Sequence, residues 1–283
     1  MDKIPYEKIW KEMMLEVFEN DEKTNNRIKW ESVEHAREYW ERTKRDKKRP
    51  LNQLELINPK KDDRILDIGS GPGTIAIPAA KISKEVLAVE PSIGMCTVLL
   101  ERAKEENLSN ISVIQKKWED VSEEELGENK FDIVVASFSI SIPDIAEEIK
   151  KMNSVCKGRV FIFWFAGSFS WDDLEFEEFW KGIKSKDFYP GPKADLLYAI
   201  LSDLKIYPDV STYSLKVSDS FDSVEKACKK ICQRHSVTDE LDKKQVLEFL
   251  KSKYKDNSEK IKITGSSNRV CMWWNVKTKT GQN

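Results

Sequence analysis

The stretch ILDIGSGPG, Ile65 to Gly73, constrains this chain more than any other: an apolar run closes on an acid and opens into three alternating glycines. Ile65 to Ile68 reads as a buried strand. Gly69, Gly71 and Gly73 supply a turn in which backbone can meet a ligand with no Cβ in the way, and Thr74 to Lys81 reads as the helix that follows. A strand, a glycine turn and a helix in that order predict a binding site at the carboxyl end of the strand. The free N–H groups at the helix start predict that an anion or a carboxylate sits there.

The segments that follow repeat this alternation. Strands are expected at Val86–Glu90, Ile111–Gln115, Phe131–Ser137 and Arg159–Phe165, with helices through Ser92–Glu105 and Asp144–Met152 between them. Strands separated by helices imply crossover connections and a mostly parallel sheet, with ligands beyond the carboxyl ends of the strands where their order reverses. Ahead of the turn, Tyr6–Asn20 and Glu31–Lys44 carry apolar residues at helical spacing, and a short helix is expected at Leu51–Ile57. Beyond Ala166 the alternation stops. Ser168–Asp209 is rich in aromatics, followed by a strand at Ser211–Val217 and a helix with Val224, Ala227, Cys228, Ile231 and Cys232 on one face. A second helix, Asp239–Tyr254, begins at the cap candidate Thr238, and two strands are expected at Lys260–Thr264 and Arg269–Val276. The division read from this pattern is a helical cap over 1–50, an α/β core over 51–167, a helical insertion with the sixth strand over 168–257, and closing strands over 258–283. With no Gly/Ser-rich linker, these are expected to form one integrated unit.

Composition narrows the class. At 283 residues, 40% hydrophobic and 34% charged, the chain can bury a sizeable core and is not of disordered or fibrous type. Its 47 basic and 49 acidic residues leave a net charge of −2, so no global field favours nucleic acid, and nucleic acid is an unlikely partner. The longest apolar stretch, Val160–Ala166, falls far short of the roughly 20 residues of a membrane helix. Five scattered cysteines and an opening MDKIPYEKIW without an apolar run point to the cytoplasm. Cys228 and Cys232 lie on an apolar helix face and are read as core rather than as thiol or metal ligands; no metal is expected.

ILDIGSGPG followed by VLAVEPS resembles motif I and the second-strand end of the class I S-adenosylmethionine-dependent methyltransferases, over about Leu51 to Ala166. The resemblance implies a Rossmann-like sheet of seven mostly parallel strands with the last antiparallel, S-adenosyl-L-methionine as cofactor and S-adenosyl-L-homocysteine as product. Residue chemistry agrees. Glu90, 21 residues after Gly69, ends the second strand where a carboxylate can accept from both ribose hydroxyls. Asp67 can face a cationic amino group but would repel a pyrophosphate, which favours S-adenosylmethionine over NAD. The family pattern implies cofactor contacts for Gly69, Gly71, Gly73, Pro91 and Met95, the last as an apolar surface for adenine. Lys117 stands where the family usually has an acid, so Trp118, by ring or backbone, and Glu119 are the expected adenine contacts. Ser137 is expected near the methionine part. Tyr39, from the helices ahead of motif I, is expected to close over the cofactor.

The acceptor is less legible. Asp144 after Pro143 and His35 are the candidate bases, while the catalytic group stays unassigned; His235 is better explained by a helix end. Trp40, Asp144, Trp164 and Trp171 are the candidate acceptor contacts, and the aromatic insertion reads equally as a lid or as core. The segment ASFSISIPD lacks the Asn/Asp-Pro-Pro-Tyr/Phe sequence of enzymes that methylate exocyclic amino groups of bases, and no cysteine follows a proline as in cytosine-C5 enzymes. The cluster Arg42, Lys44, Arg45, Lys47, Lys48, Arg49 reads as a solvated helix end. The expected function is methyl transfer to O, N or S of a small molecule by positioning donor and acceptor in line. Rival readings are a nicotinamide oxidoreductase on a similar sheet and a binding module that holds the cofactor without transferring a methyl group.

Overall fold

The computed structural model describes residues 4–23, 31–45, 48–126, 131–167, 179, 191–234, 237–254 and 261–276. Two compact units divide the chain: 1–166, 191–212 and 270–283 form one, and 167–190 with 213–269 form the other. Two of the four passages between the units, at 212–213 and 269–270, fall within continuous strands, where no linker composition marks them.

The first unit is built on parallel strands β1 (Arg64–Ile68), β2 (Glu85–Val89), β3 (Ile111–Ile114), β4 (Phe131–Ser137) and β5 (Cys156–Phe165). Strands β6 (Asp209–Phe221) and β7 (Ile261–Asn275) complete a seven-stranded sheet in the order β3-β2-β1-β4-β5-β7-β6. The Val276 N–H donates to the Gly158 carbonyl at 2.7 Å while Trp273 stacks on Phe161 at 5.8 Å, so β7 runs against β5. The mixed sheet is the Rossmann-like one expected. Its two predicted closing strands are a single strand, because Gly265–Asn268 stays extended instead of turning. The order reverses between β1 and β4, which places the binding crevice above their carboxyl ends.

Helices α1 (Tyr6–Lys23), α2 (Val33–Arg45) and α3 (Lys48–Ile57) precede β1; α4 (Ala76–Ala80), α5 (Ile93–Glu105) and α6 (Ile145–Val155) are the crossover helices. Helix α4 is shorter than the predicted Thr74–Lys81, since Thr74 and Ile75 remain in the turn. Helix α7 (Ala194–Asp203) falls in this unit and buries Leu197, Ile200 and Leu201 against the main core. The core is continuous across Leu66, Ile68, Val134, Ala136, Ile149, Val160 and Ile162, all almost fully buried, and also takes in Trp10, Met14 and Trp164. These apolar strand faces are what hold β1 and β4 side by side under the site.

The second unit has its own core, formed by α8 (Val224–Arg234) and α9 (Glu240–Lys253). Cys228 and Cys232 lie in it with Ala227, Ile231, Val246 and Leu250, as their helical spacing predicts. Their sulfurs stand 3.8 Å apart, and burial pushes the Cys232 thiol up to about 12. The cap of α9 is Asp239, not Thr238: the Asp239 carboxylate accepts from the N–H groups of Leu241 and Asp242.

Candidate functional site

A cavity of ≈ 860 Å³ opens above the carboxyl ends of β1, β2, β3 and β4. Its floor is the glycine turn. Gly69, Gly71 and Gly73 all adopt positive φ, at 65°, 54° and 78°. They serve different ends. A Cβ at Gly69 would lie 2.2 Å from Ser139 Cβ, and one at Gly73 would lie 2.8 Å from Ile77, so both allow close packing; a Cβ at Gly71 would meet nothing within 4 Å. Gly69 and Gly71 line the cavity, whereas Gly73 lies beneath it against Ile77 and Leu99.

The turn's donors are engaged by the chain itself. Gly69 and Ser70 N–H donate to the Val89 carbonyl, and Gly73 N–H donates to the Ser70 carbonyl. Gly71 N–H donates to Glu90 Oε2 at 2.8 Å, and Ser92 N–H donates to Glu90 Oε1 at 3.0 Å. The N–H of Ala76, which opens α4, donates to the Asp67 carboxyl. One of the helix-start N–H groups expected to meet an anion or a carboxylate is therefore engaged by Asp67, an acid that ends β1 beside the first turn of the helix it feeds.

Both acids are deeply buried, Asp67 at 1% and Glu90 at 7% exposure. Burial pushes the Asp67 carboxyl up from its ordinary 3.8 to about 7, against the lowering effect of the Ala76 N–H, with the nearby Glu90 charge adding to the rise. Burial also raises Glu90, opposed by the Ser92 and Gly71 N–H groups. Asp67 contributes to the cavity lining, and its Oδ2 is buried with no hydrogen-bond partner. A buried carboxylate oxygen left this way is costly until a cation or donor reaches it.

Glu31 and Glu119 add two more acids to the lining, and Lys117 the one basic residue among the described lining residues. Pro91 and Met95 line the β2 side. The Ser92 hydroxyl caps α5 by accepting from Met95 N–H at 3.1 Å, which fixes where Met95 is held. Trp118 lines the wall after β3, buried, with Lys151 Nζ 4.4 Å from its ring centroid. Ser137 lines the cavity at the end of β4, its hydroxyl accepting from the buried Gln53 side chain at 2.9 Å. Tyr39 also lines it and packs with Ala36, Met95 and Val98 between α2 and α5.

Of the expected cofactor contacts, Tyr39, Asp67, Gly69, Gly71, Glu90, Pro91, Met95, Trp118, Glu119 and Ser137 thus gather around one cavity, and Gly73 does not. Of the expected acceptor and base residues, Trp40, Trp164, Asp144 and His35 do not line it. Trp40 carries the Arg102 guanidinium over its ring at 3.3 Å and is no part of the lining. Trp164 is buried in the core, its Nε1–H donating to the Pro192 carbonyl at 2.9 Å. Asp144 is exposed and paired with Lys11 at 2.7 Å. His35 is exposed on α2 away from the lining. Trp171, His235 and most of the basic cluster lie outside the described residues or side chains. Helical and loop position alone could not separate a cavity wall from a core or surface face. Phe18, Glu31, Phe138 and Ser139, which do line the cavity, carry no motif that would have singled them out.

Comparison with known proteins fits this geometry. Residues 65–158 match a family model described as a methyltransferase domain. An uncharacterized protein of Haemophilus influenzae is 33% identical over 109 residues, covering 38% of this chain and 40% of that protein. A ribosomal RNA small subunit methyltransferase A of Desulforapulum autotrophicum is 40% identical over 52 residues, 18% of each chain. The matches therefore span well under half the length of these curated relatives. The fold of a candidate methyltransferase from Bacillus halodurans superposes with a TM-score of 0.56 at 16% identity, over 81% of this chain and 99% of that one.

Proposed function

We propose that residues 65–158, which match a methyltransferase-domain model, form an S-adenosylmethionine-dependent methyltransferase domain of the Rossmann-like class I fold, and that the protein as a whole transfers a methyl group to O, N or S of a small-molecule acceptor. One observation carries the reading. The glycine turn has its N–H groups engaged by Val89, Glu90 and Ser70, and the cavity above it holds Asp67, Glu90, Glu31 and Glu119 against a single lysine among the described residues. Such a lining attracts a cationic ligand and repels a pyrophosphate.

The residues divide the work. Glu90 keeps lone pairs free to accept from ribose hydroxyls while its backbone donors hold it in place. Asp67 Oδ2 suits an ammonium, directly or through water. Met95, Pro91 and Trp118 give apolar surface for a purine, Glu119 an acceptor for its amino group, and Tyr39 covers the opening. Ser137 lies beside the methionine part. When bound, S-adenosylmethionine supplies an activated methyl on a sulfonium; the chain supplies alignment and exclusion of water, which account for much of the acceleration in a displacement of this kind. The net charge of −2 favours a small acceptor over nucleic acid.

Isothermal titration with S-adenosylhomocysteine and with NADH tests the reading. S-adenosylhomocysteine should bind and NADH should not; NADH binding alone would assign the cavity to a nicotinamide enzyme. Turnover of labelled S-adenosylmethionine with cell extract then separates an enzyme from a binding module.

A further inference from the structure

Charge is divided across the cavity along the strand order. Glu119 and Lys117 follow β3, Glu90 follows β2, and Glu31 approaches the N–H of Ile93 at 3.4 Å, all on the β2–β3 side. Among the described residues the wall after β4 is made of Ser137, Phe138, Ser139, Ser141, Ile142 and Pro143, none of them charged. Phe18 of α1 joins the lining as a further apolar ring. Asp67, the acid nearest this wall, is tied to the start of α4 and almost wholly buried.

Phe138 is held on this wall against its own backbone preference. Its φ is 56°, a conformation that costs an L-residue on the order of 1 kcal/mol. Two anchors impose it. Phe138 N–H donates to the Phe163 carbonyl at 2.9 Å, continuing the β4–β5 pairing, and the Ser139 hydroxyl donates to the Ile68 carbonyl of β1. The chain must turn between those two bonds, and the ring is held 5.0 Å from Phe165 at the rim of the cavity.

Resting on the methyltransferase reading, we propose that the acceptor is an uncharged, ring-bearing molecule that stacks on Phe138 and attacks through an unprotonated nitrogen. Among the described residues, the β4 wall offers no cation for a carboxylate, phosphate or thiolate acceptor, and no base for a hydroxyl or neutral thiol that must first lose a proton. A neutral amine or ring nitrogen already has its lone pair. The N–C bond forms as the bond from methyl carbon to sulfur breaks; sulfur keeps the electron pair as a neutral thioether, and the positive charge passes to nitrogen. Any N–H proton then leaves to water. The carboxylates across the cavity favour a cation before and after this transfer.

The test is binding to the protein saturated with S-adenosylhomocysteine, with quinoline, benzoate and phenyl phosphate as probes. Quinoline should bind at least about fivefold more tightly than either anion. Phe138→Gly, which relieves the backbone conformation while removing the ring, should weaken quinoline about tenfold. Phe138→Tyr should restore it to within about threefold of the starting protein. Affinity for S-adenosylhomocysteine and thermal stability, measured on the same variants, would move instead if the residue were merely structural. Anions that bind as well as quinoline, no quinoline binding at all, or quinoline binding unchanged in Phe138→Gly would each overturn the proposal. Failure of S-adenosylhomocysteine itself to bind would overturn the underlying methyltransferase reading.

Discussion

Asp67 is the residue at which folding and binding pull against each other. In the unfolded chain its carboxyl ionises near pH 4, and in the folded one near pH 7, so the folded state holds a proton more tightly across that window. Its contribution to stability is complete below pH 4 and declines as pH rises to about 7, by up to about 1.4 kcal/mol per pH unit. Asp67→Asn should remove most of this decline, read from unfolding midpoints between pH 4 and pH 8 without ligand. The same variant should weaken S-adenosylhomocysteine about tenfold or more at pH 8, where the carboxylate is present to meet the ammonium. The glycines separate in a similar way. Gly69→Ala forces a Cβ against Ser139 and should lower stability by about 2–4 kcal/mol. Gly71→Ala carries only the backbone penalty of about 1 kcal/mol, since its Cβ meets no protein atom, but it narrows the cavity and should weaken the cofactor disproportionately. Equal loss of stability in both variants would contradict this division.

At the scale of elements, the site depends on how α2 is fastened to α5. Arg102 on α5 is largely buried; its guanidinium donates to the Pro72 carbonyl of the glycine turn and lies over the ring of Trp40 of α2. Burial lowers its ionisation to about 10, so it remains charged at neutral pH. One side chain thereby ties the turn to the helix that carries Tyr39 over the cavity. Arg102→Met should cost about 2–3 kcal/mol, by leaving the Pro72 carbonyl unpaired and undoing the ring contact. It should also weaken S-adenosylhomocysteine, as denaturant unfolding and calorimetry would show. Arg102→Lys should recover less than half of either loss, because an ammonium cannot reproduce a planar group that donates at its edge and stacks by its face. Full recovery would reduce the contact to charge alone.

At the scale of the whole molecule, the two units carry separate hydrophobic cores, and all five cysteines are buried, Cys156 in one core and Cys228 and Cys232 in the other. Burial raises every one of these thiols above its ordinary range. A thiol titration of the native protein should therefore show less than about one fast-reacting group, and all five after denaturation. A fast pair in the native state would place Cys228 and Cys232 at an open surface and refute the packing of the second unit. Among the described residues, no helix is long and apolar enough to cross a membrane.

Local sequence determined the elements whose physics is local. The apolar run at Ile65–Ile68, the positive-φ glycines, the acid ending β2 and the helical spacing of Cys228 and Cys232 each follow from short-range geometry, and the β1–β2 side of the cavity was legible through them. Tertiary structure alone decided the side after β4. Trp40, Trp164 and Asp144 occupy positions whose residue types suit a pocket equally well, yet Arg102, the main core and Lys11 claim them. Phe138 acquired its place from two hydrogen bonds to strands far away in sequence. Which face of an aromatic meets a ligand is set by what packs behind it, and those partners come from across the fold rather than from the neighbouring residues.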